Sequence, residues 1–421
     1  MPKKIKKRVY LDYGILIPYL FLSVLGIIMV YSASSTHLAS KGLNPADYAI
    51  KQALFFIVGI IAILFIYKLK TDVFKSYKLI KFSVAIMILI LLLTKFTPLG
   101  VHGGGADGWI SIAGITIQPV EFLKIVQIWY LAYVFSSRQD SIQTDLKGVI
   151  KMPFLVVGGM ILSVLIQPDT GGAVILILLA FIMFLASGIN YYYTILGIGI
   201  GTIASIGLIQ FIAVFGEKLF PARLQYVYQR FRTFSDPFVD SLGDGHQMVN
   251  SYYAMKNGGW FGLGIGNSIQ KKGFLTAAHT DFMFSIVIEE LGIILAIGIL
   301  GVLMFMILRI FLVGIKSKNS FNSMLCIGIA GLLLIQTFVN VGGITGIIPL
   351  TGVTFPFLSQ GGSSLITLSV GVGLALNISA DERKMRYTQQ LEESRRLQEE
   401  AEKQKEKEAQ DDLYEGYRDL N

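Results

Sequence analysis

The densest cluster of reactive side chains lies at His279-Thr280-Asp281-Phe282, where a long polar stretch gives way to an apolar run. A carboxylate at the first turn of a helix can cap free backbone N–H groups. It can also remove a proton from a hydroxyl if geometry and protonation state suit. Thr280 could cap alone, and the basic pair Lys271 and Lys272, with His279, lies close in sequence. Asp281 is therefore the candidate base.

Three other positions share this chemical character. Glu121 and Lys124 are three residues apart in an apolar segment, on one helix face, where they can pair as a purely architectural couple or form the polar floor of a cavity. Asp169, in Gln167-Pro168-Asp169, reads as a helix cap or as a second acid at a tight turn. The stretch 220–237 alternates apolar residues with Arg223, Arg230 and Arg232. It predicts an amphipathic helix in a membrane interface, able to grip phosphate oxygens of a lipid carrier or to anchor on headgroups. Trp109 offers a flat face at the interface or an ordinary membrane anchor. Gly361-Gly362-Ser363-Ser364 offers amides and hydroxyls to a polar ligand, Ser363 foremost, or tight helix packing. The glycine-rich run 258–266 follows no strand and is no dinucleotide fingerprint; it reads as a re-entrant or close-packed turn.

The elements that must position these groups are membrane helices. Of the 421 residues 53% are hydrophobic and 15% charged, with a mean hydropathy of +0.62, which a soluble domain does not sustain. Ten segments are apolar enough to predict spans: 11–33, 52–67, 80–95, 119–136, 152–167, 171–189, 191–215, 282–308, 321–342 and 362–379. The fold class is thus an all-α polytopic membrane protein of about ten transmembrane helices, with a large extracellular loop, 216–281, before the eighth. Residues 1–10 form a basic cytoplasmic N-terminus, 11–380 the membrane domain and 381–421 a charged cytoplasmic tail. That tail holds 9 Lys/Arg against 13 Asp/Glu, whereas the rest holds 27 against 15. Placing both termini inside puts 25 Lys/Arg on the cytoplasmic side and 10 outside, as the positive-inside rule asks. Every motif-rich connection then faces outward. Basic residues beside spans read as topology signals, so nucleic-acid binding is not expected. The single cysteine, Cys326, excludes a disulfide framework and a cysteine-based metal site.

In order along the chain, Trp109-Ile110, Gln118-Pro119 with Glu121 and Lys124, Gln167-Pro168-Asp169, Gly258-Gly259, Gly266-Asn267-Ser268, His279-Thr280-Asp281-Phe282, Glu289-Glu290-Leu291-Gly292 and Pro356-Phe357 with Gly361-Gly362-Ser363-Ser364 resemble the SEDS family of peptidoglycan polymerases. The resemblance covers nearly everything but the tail, and Gly266 to Lys271 look more like its division branch, FtsW, than its elongation branch, RodA. Departures are Gly108, Val120, Thr276-Ala277-Ala278 and Gln360, where the family commonly carries Arg, Ser, Pro-Glu and Tyr.

The resemblance implies a glycosyltransferase that polymerises lipid II at the outer face of the bacterial cytoplasmic membrane, in septal wall synthesis. In that picture Asp281 is the base. Arg223, Arg230, Lys271 and Lys272 assist the departing pyrophosphate, Glu121 and Lys124 share the cavity, and Trp109 forms its rim. The implied partners are a class B penicillin-binding protein and other divisome membrane proteins. No cofactor is inferable; a divalent cation held by His246, His279 and Asp281 stays open. A lipid-linked precursor flippase and a non-catalytic scaffold are the competing classes. The roles of Glu289 and Glu290 are left open between a wet cavity, a partner and mutual contact.

Overall fold

The computed structural model describes residues 7–98, 100–103, 106–112, 115–219, 225–238, 240, 241, 243 and 245–418. Among them are thirteen α-helices: α1 (Tyr13–Ser40), α2 (Asp47–Lys68), α3 (Tyr77–Phe96), α4 (Pro119–Ser137), α5 (Gln139–Ile142), α6 (Leu146–Leu165), α7 (Thr170–Leu185), α8 (Tyr191–Leu219), α9 (Gln225–Ser235), α10 (His246–Gly258), α11 (Met283–Ile315), α12 (Ser320–Thr345) and α13 (Gly362–Arg418). A small antiparallel sheet, β1 (Gly100–Gly103), β2 (Ala106–Ile112) and β3 (Ile115–Ile117), lies between α3 and α4.

Every expected span coincides with a helix. Seven, α1, α2, α3, α6, α11, α12 and α13, are long and apolar enough to cross a bilayer by length and composition. Of the other three, α4 is diluted by polar Glu121, Lys124 and Gln127, α7 has only 16 residues, and α8 runs 29 residues from Tyr191 to Leu219. The stretch expected as one long loop carries two helices of its own, α9 and α10.

Helix ends follow from local chemistry. Asp145, Asp169 and Asn319 each accept hydrogen bonds from backbone N–H groups of the turn that follows, and Pro119 opens α4 where its missing N–H costs nothing. Burial separates centre from periphery: 78% of the apolar window of α12 is buried, against 28% for α2 and α3. α12 packs on α4, α7 and α11, and α11 also meets α1 and α10.

The chain divides into Tyr13–Asn377 and a smaller unit of Met1–Asp12 with Ile378–Asn421. Within the smaller unit Lys7 pairs with Asp381 at 2.8 Å, and buried Asp12 accepts from Ser379 Oγ at 2.8 Å and pairs with Arg383. The expected tail is helical as far as Arg418.

Candidate active site

Within the larger unit a cavity of about 970 Å³ is walled by the starts of α4, α7, α10 and α13, by α9, by the turn before α11, and by residues 350–354. Its lining includes Asp281, Arg230, Glu121, Lys124, Asp169, Trp109 and Ser363. Residues spread over more than 250 positions of sequence thus meet in one place.

Asp281 sits in the tight turn before α11, where Thr280 N and Phe282 N both donate to Ala277 O at 3.2 Å. The turn is held from outside. Asn340 Nδ2 donates to Asp281 O and to Val353 O, each at 2.7 Å. Ser359 Oγ donates to Thr280 O at 2.6 Å, and Gln360 N to His279 O at 2.8 Å. These bonds fix the backbone and leave the carboxylate to the cavity. Loss of water there pushes its pKa up to about 6, and the nearby Arg230 guanidinium pulls the other way.

Arg230 is placed by α9 and donates to Thr351 O at 3.2 Å. Gly352, at φ +80°, lies between the two charges: a Cβ there would stand 3.6 Å from Asp281 Oδ2 and 3.9 Å from Arg230 Nη2. The left-handed backbone favours glycine there, while the space itself would take a Cβ at ordinary contact distance.

On the facing wall Lys124 Nζ donates to Glu121 Oε1 at 2.6 Å, with the two side chains 2% and 11% exposed. Glu121 Oε2 is buried with no hydrogen-bond partner among the described residues, an acceptor beside the cavity. Asp169 is the cap of α7 and also lines the cavity. Its Oδ1 accepts from Gly172 N at 2.7 Å as the cap of α7, while Oδ2 accepts from Gln118 Nε2 at 3.2 Å. Burial raises its pKa, opposed by the Gly172 N–H and Lys124, with Glu121 raising it further and Arg230 lowering it. Gln118 N also donates to Ser363 Oγ at 2.8 Å, tying α4 to α13. Trp109, in β2 opposite Val101, supplies an apolar rim.

Several expectations need correction. Lys271 does not reach this cavity: its ammonium is buried against Glu290 Oε1 at 2.7 Å and Ser32 Oγ at 2.9 Å. Ten residues from Asp281 along the chain, it answers a nearer buried carboxylate. Lys272 is exposed and outside the lining. The ring of His279 lies outside it too, packed on Tyr48 at 5.2 Å and His37 at 6.3 Å. Burial, with the positive surroundings of His37 and Lys41, lowers its pKa to about 4. His246, His279 and Asp281 are not gathered into a metal-binding group; among the described residues no three His, Cys, Asp or Glu side chains are so placed. Arg223 lies outside the described residues. Neither Glu289 nor Glu290 opens to a wet cavity: both are buried and hydrogen-bonded within the protein.

Sequence reading passed over Asn340, Gly352 and Gln118 as site residues. Asn340 alone carried a signal, a polar side chain within an apolar span. The other two act through tertiary approach.

Such a cavity joins a carboxylate that is half protonated near pH 6, two cations able to meet anionic oxygens, and two further acids. It suits general-base attack by a hydroxyl with departure of an anionic group.

Comparison with known proteins agrees with that chemistry. Residues 14–384 match the FtsW/RodA/SpoVE family model, described as a cell cycle protein. A Lactococcus lactis protein named "Probable peptidoglycan glycosyltransferase FtsW" is 47% identical over 399 residues, covering 90% of this chain and 95% of that one. A Bacillus subtilis protein of the same name is 36% identical over 378 residues, covering 87% and 90%. Among solved structures, a chain from a peptidoglycan synthase complex that coordinates polymerization and crosslinking superposes with a TM-score of 0.70 at 24% identity, covering 88% of this chain and 98% of that one. The rod shape determining protein RodA of Thermus thermophilus gives 0.62 at 22% identity, covering 88% and 97%. At such identities the structures show a common fold.

Proposed function

The chain belongs to the FtsW/RodA/SpoVE family of cell cycle proteins, and from that premise we propose that it is a peptidoglycan glycosyltransferase acting on lipid II. Asp281 takes the proton of the acceptor sugar's 4-hydroxyl. The oxygen attacks the anomeric carbon of the donor, whose bond to the pyrophosphate oxygen breaks, and undecaprenyl pyrophosphate leaves with the electron pair. Arg230 and Lys124 meet the negative charge that develops on the leaving group. Trp109 offers a face to sugar or lipid at the rim.

The observation that carries this reading is the placing of Asp281 and Arg230 about Gly352, in a cavity where burial holds the carboxyl near pKa 6. Its polar groups gather at the ends of helices on one side, around connections that the distribution of Lys and Arg assigns to the outer face. There the substrate's own leaving group supplies the driving force. A flippase would need polar groups along a path to the opposite side.

Septal action, cytoplasmic termini and a class B penicillin-binding protein that cross-links the new strands complete the proposal. The test is polymerisation of purified lipid II by the protein with that partner, its transpeptidase serine inactivated. Glycan strands from wild type and none from Asp281→Asn, with partner binding retained in both, support the enzyme. Equal product from both removes Asp281 as the base. No product from either, beside a polymerase that works in the same assay, moves the reading to a flippase or scaffold.

A further inference from the structure

The glycine-rich run after α10 is bound to a break in α11. Gly292, at φ 80° and ψ 166°, interrupts that helix and leaves carbonyls and N–H groups without partners in their own helix. The segment from Gly259 supplies them. Leu263 N and Gly264 N donate to Glu289 O and Glu290 O at 2.9 Å, and Ile293 N and Ile294 N donate to Gly259 O and Trp260 O at 3.0 and 3.4 Å. A Cβ on Gly262 would overlap the Glu290 carbonyl, and one on Gly292 the Trp260 carbonyl. Only glycines permit such an approach. These bonds satisfy backbone groups that a hydrocarbon surrounding would leave unpaired.

The same segment is pinned from its other end. Glu290 pairs with Lys271 at 2.7 Å and accepts from Ser32 of α1 at 2.7 Å. Glu289 accepts from Ser268 Oγ, from Ile269 N at 3.2 Å and from Asn257 Nδ2 at 3.1 Å. None of the fourteen residues 257–270 is charged. What the segment shows outward is apolar: Trp260 is 69% exposed, Phe261 83% and Ile265 56%. Beyond the break, α11 continues the surface with exposed Ile294, Leu295 and Ile297.

Two rulers give the height of this patch. From Gly292 to Ile315, beside Lys316 and Lys318, α11 runs about 35 Å, and from Tyr13 to Ser32 α1 runs about 29 Å, against a hydrocarbon thickness of about 30 Å. Both place the Glu290–Ser32 level at the hydrocarbon edge on the Asp281 side.

We propose that residues 257–266 are a membrane anchor seated at that edge, with Trp260 and Phe261 inserted among the acyl chains of the adjoining leaflet. Aromatic rings favour this zone. The occupant is lipid rather than protein because the patch is uncharged and runs without interruption into the exposed apolar surface of a spanning helix. Through Ser268 to Lys271 the anchor sets the height of the segment that leads to Asp281. It does not depend on the proposed reaction.

The experiment is tryptophan fluorescence of the full-length protein in vesicles of brominated phospholipid, with Trp260 isolated as the difference between wild type and Trp260→Phe. Quenching by bromines placed near the headgroup end of the chain, weaker quenching by bromines near the methyl end, and little response to acrylamide are expected. Quenching by acrylamide without quenching by bromolipid would overturn the proposal and mark an open, partner-ready surface; quenching by neither would overturn it in favour of cover by protein. Ile265→Trp in the Trp260→Phe background gives a second reporter, expected to behave alike.

Discussion

Asp281, in the turn before α11, and the pair Glu289–Glu290, within its first turns, begin eight residues apart and are treated in opposite ways. The two glutamates are 0% and 1% exposed and accept from serine hydroxyls, backbone N–H groups and a lysine. Their charge is spent on holding three elements together. Asp281 has its backbone tied down while its carboxyl group faces a cavity with Arg230 nearby. A carboxylate saturated with donors is a poor base; one short of donors and water is held near the pH at which it can trade protons.

Substitutions sharpen this contrast. The largest effect belongs to Asp281→Asn, which should lower the rate of lipid II polymerisation by about 10²- to 10⁴-fold with folding intact, read as strand yield over time. Lys271→Met should instead strike stability, by about 3–5 kcal/mol, because it strands Glu290 in a dry site. Glu290→Gln combined with Lys271→Met removes the stranded charge and should recover most of the loss. Thermal unfolding of the three proteins in one detergent checks this, and a double variant less stable than the single would break the contrast. Gly352→Ala should cost about 1–2 kcal/mol from its left-handed backbone, read as a lower midpoint of thermal unfolding. Smallest of all, His279→Gln should leave the pH dependence of the rate in place, since that imidazole is already neutral above about pH 5.

Much of this was legible in the sequence because membranes make polar residues conspicuous. Glu121, Lys124 and Asp169 stood out against apolar neighbours, and each proves to line the cavity. The presence of the helices followed from the same contrast, but not their ends: α1 runs on to Ser40 and α11 to Ile315. Sequence proximity misled where side chains turn away from one another: Lys271 is near Asp281 along the chain but pairs with Glu290, and His279, two residues from Asp281, packs on Tyr48. Gln118 was legible only as part of a motif and Gly352 not at all, since what they do depends on which chain comes alongside. The break at Gly292 was likewise hidden within an unbroken apolar run.

The most direct test of Asp281 as the base is the rate of polymerisation against pH for wild type and Arg230→Met, at saturating lipid II. A base with its pKa raised to about 6 is protonated and idle below that pH, so the wild-type rate should rise through about pH 6 and then level. Because the Arg230 guanidinium lowers that pKa, removing it should move the rise to higher pH. A profile that is flat across this range, or a rise that stays in place without Arg230, would contradict the account.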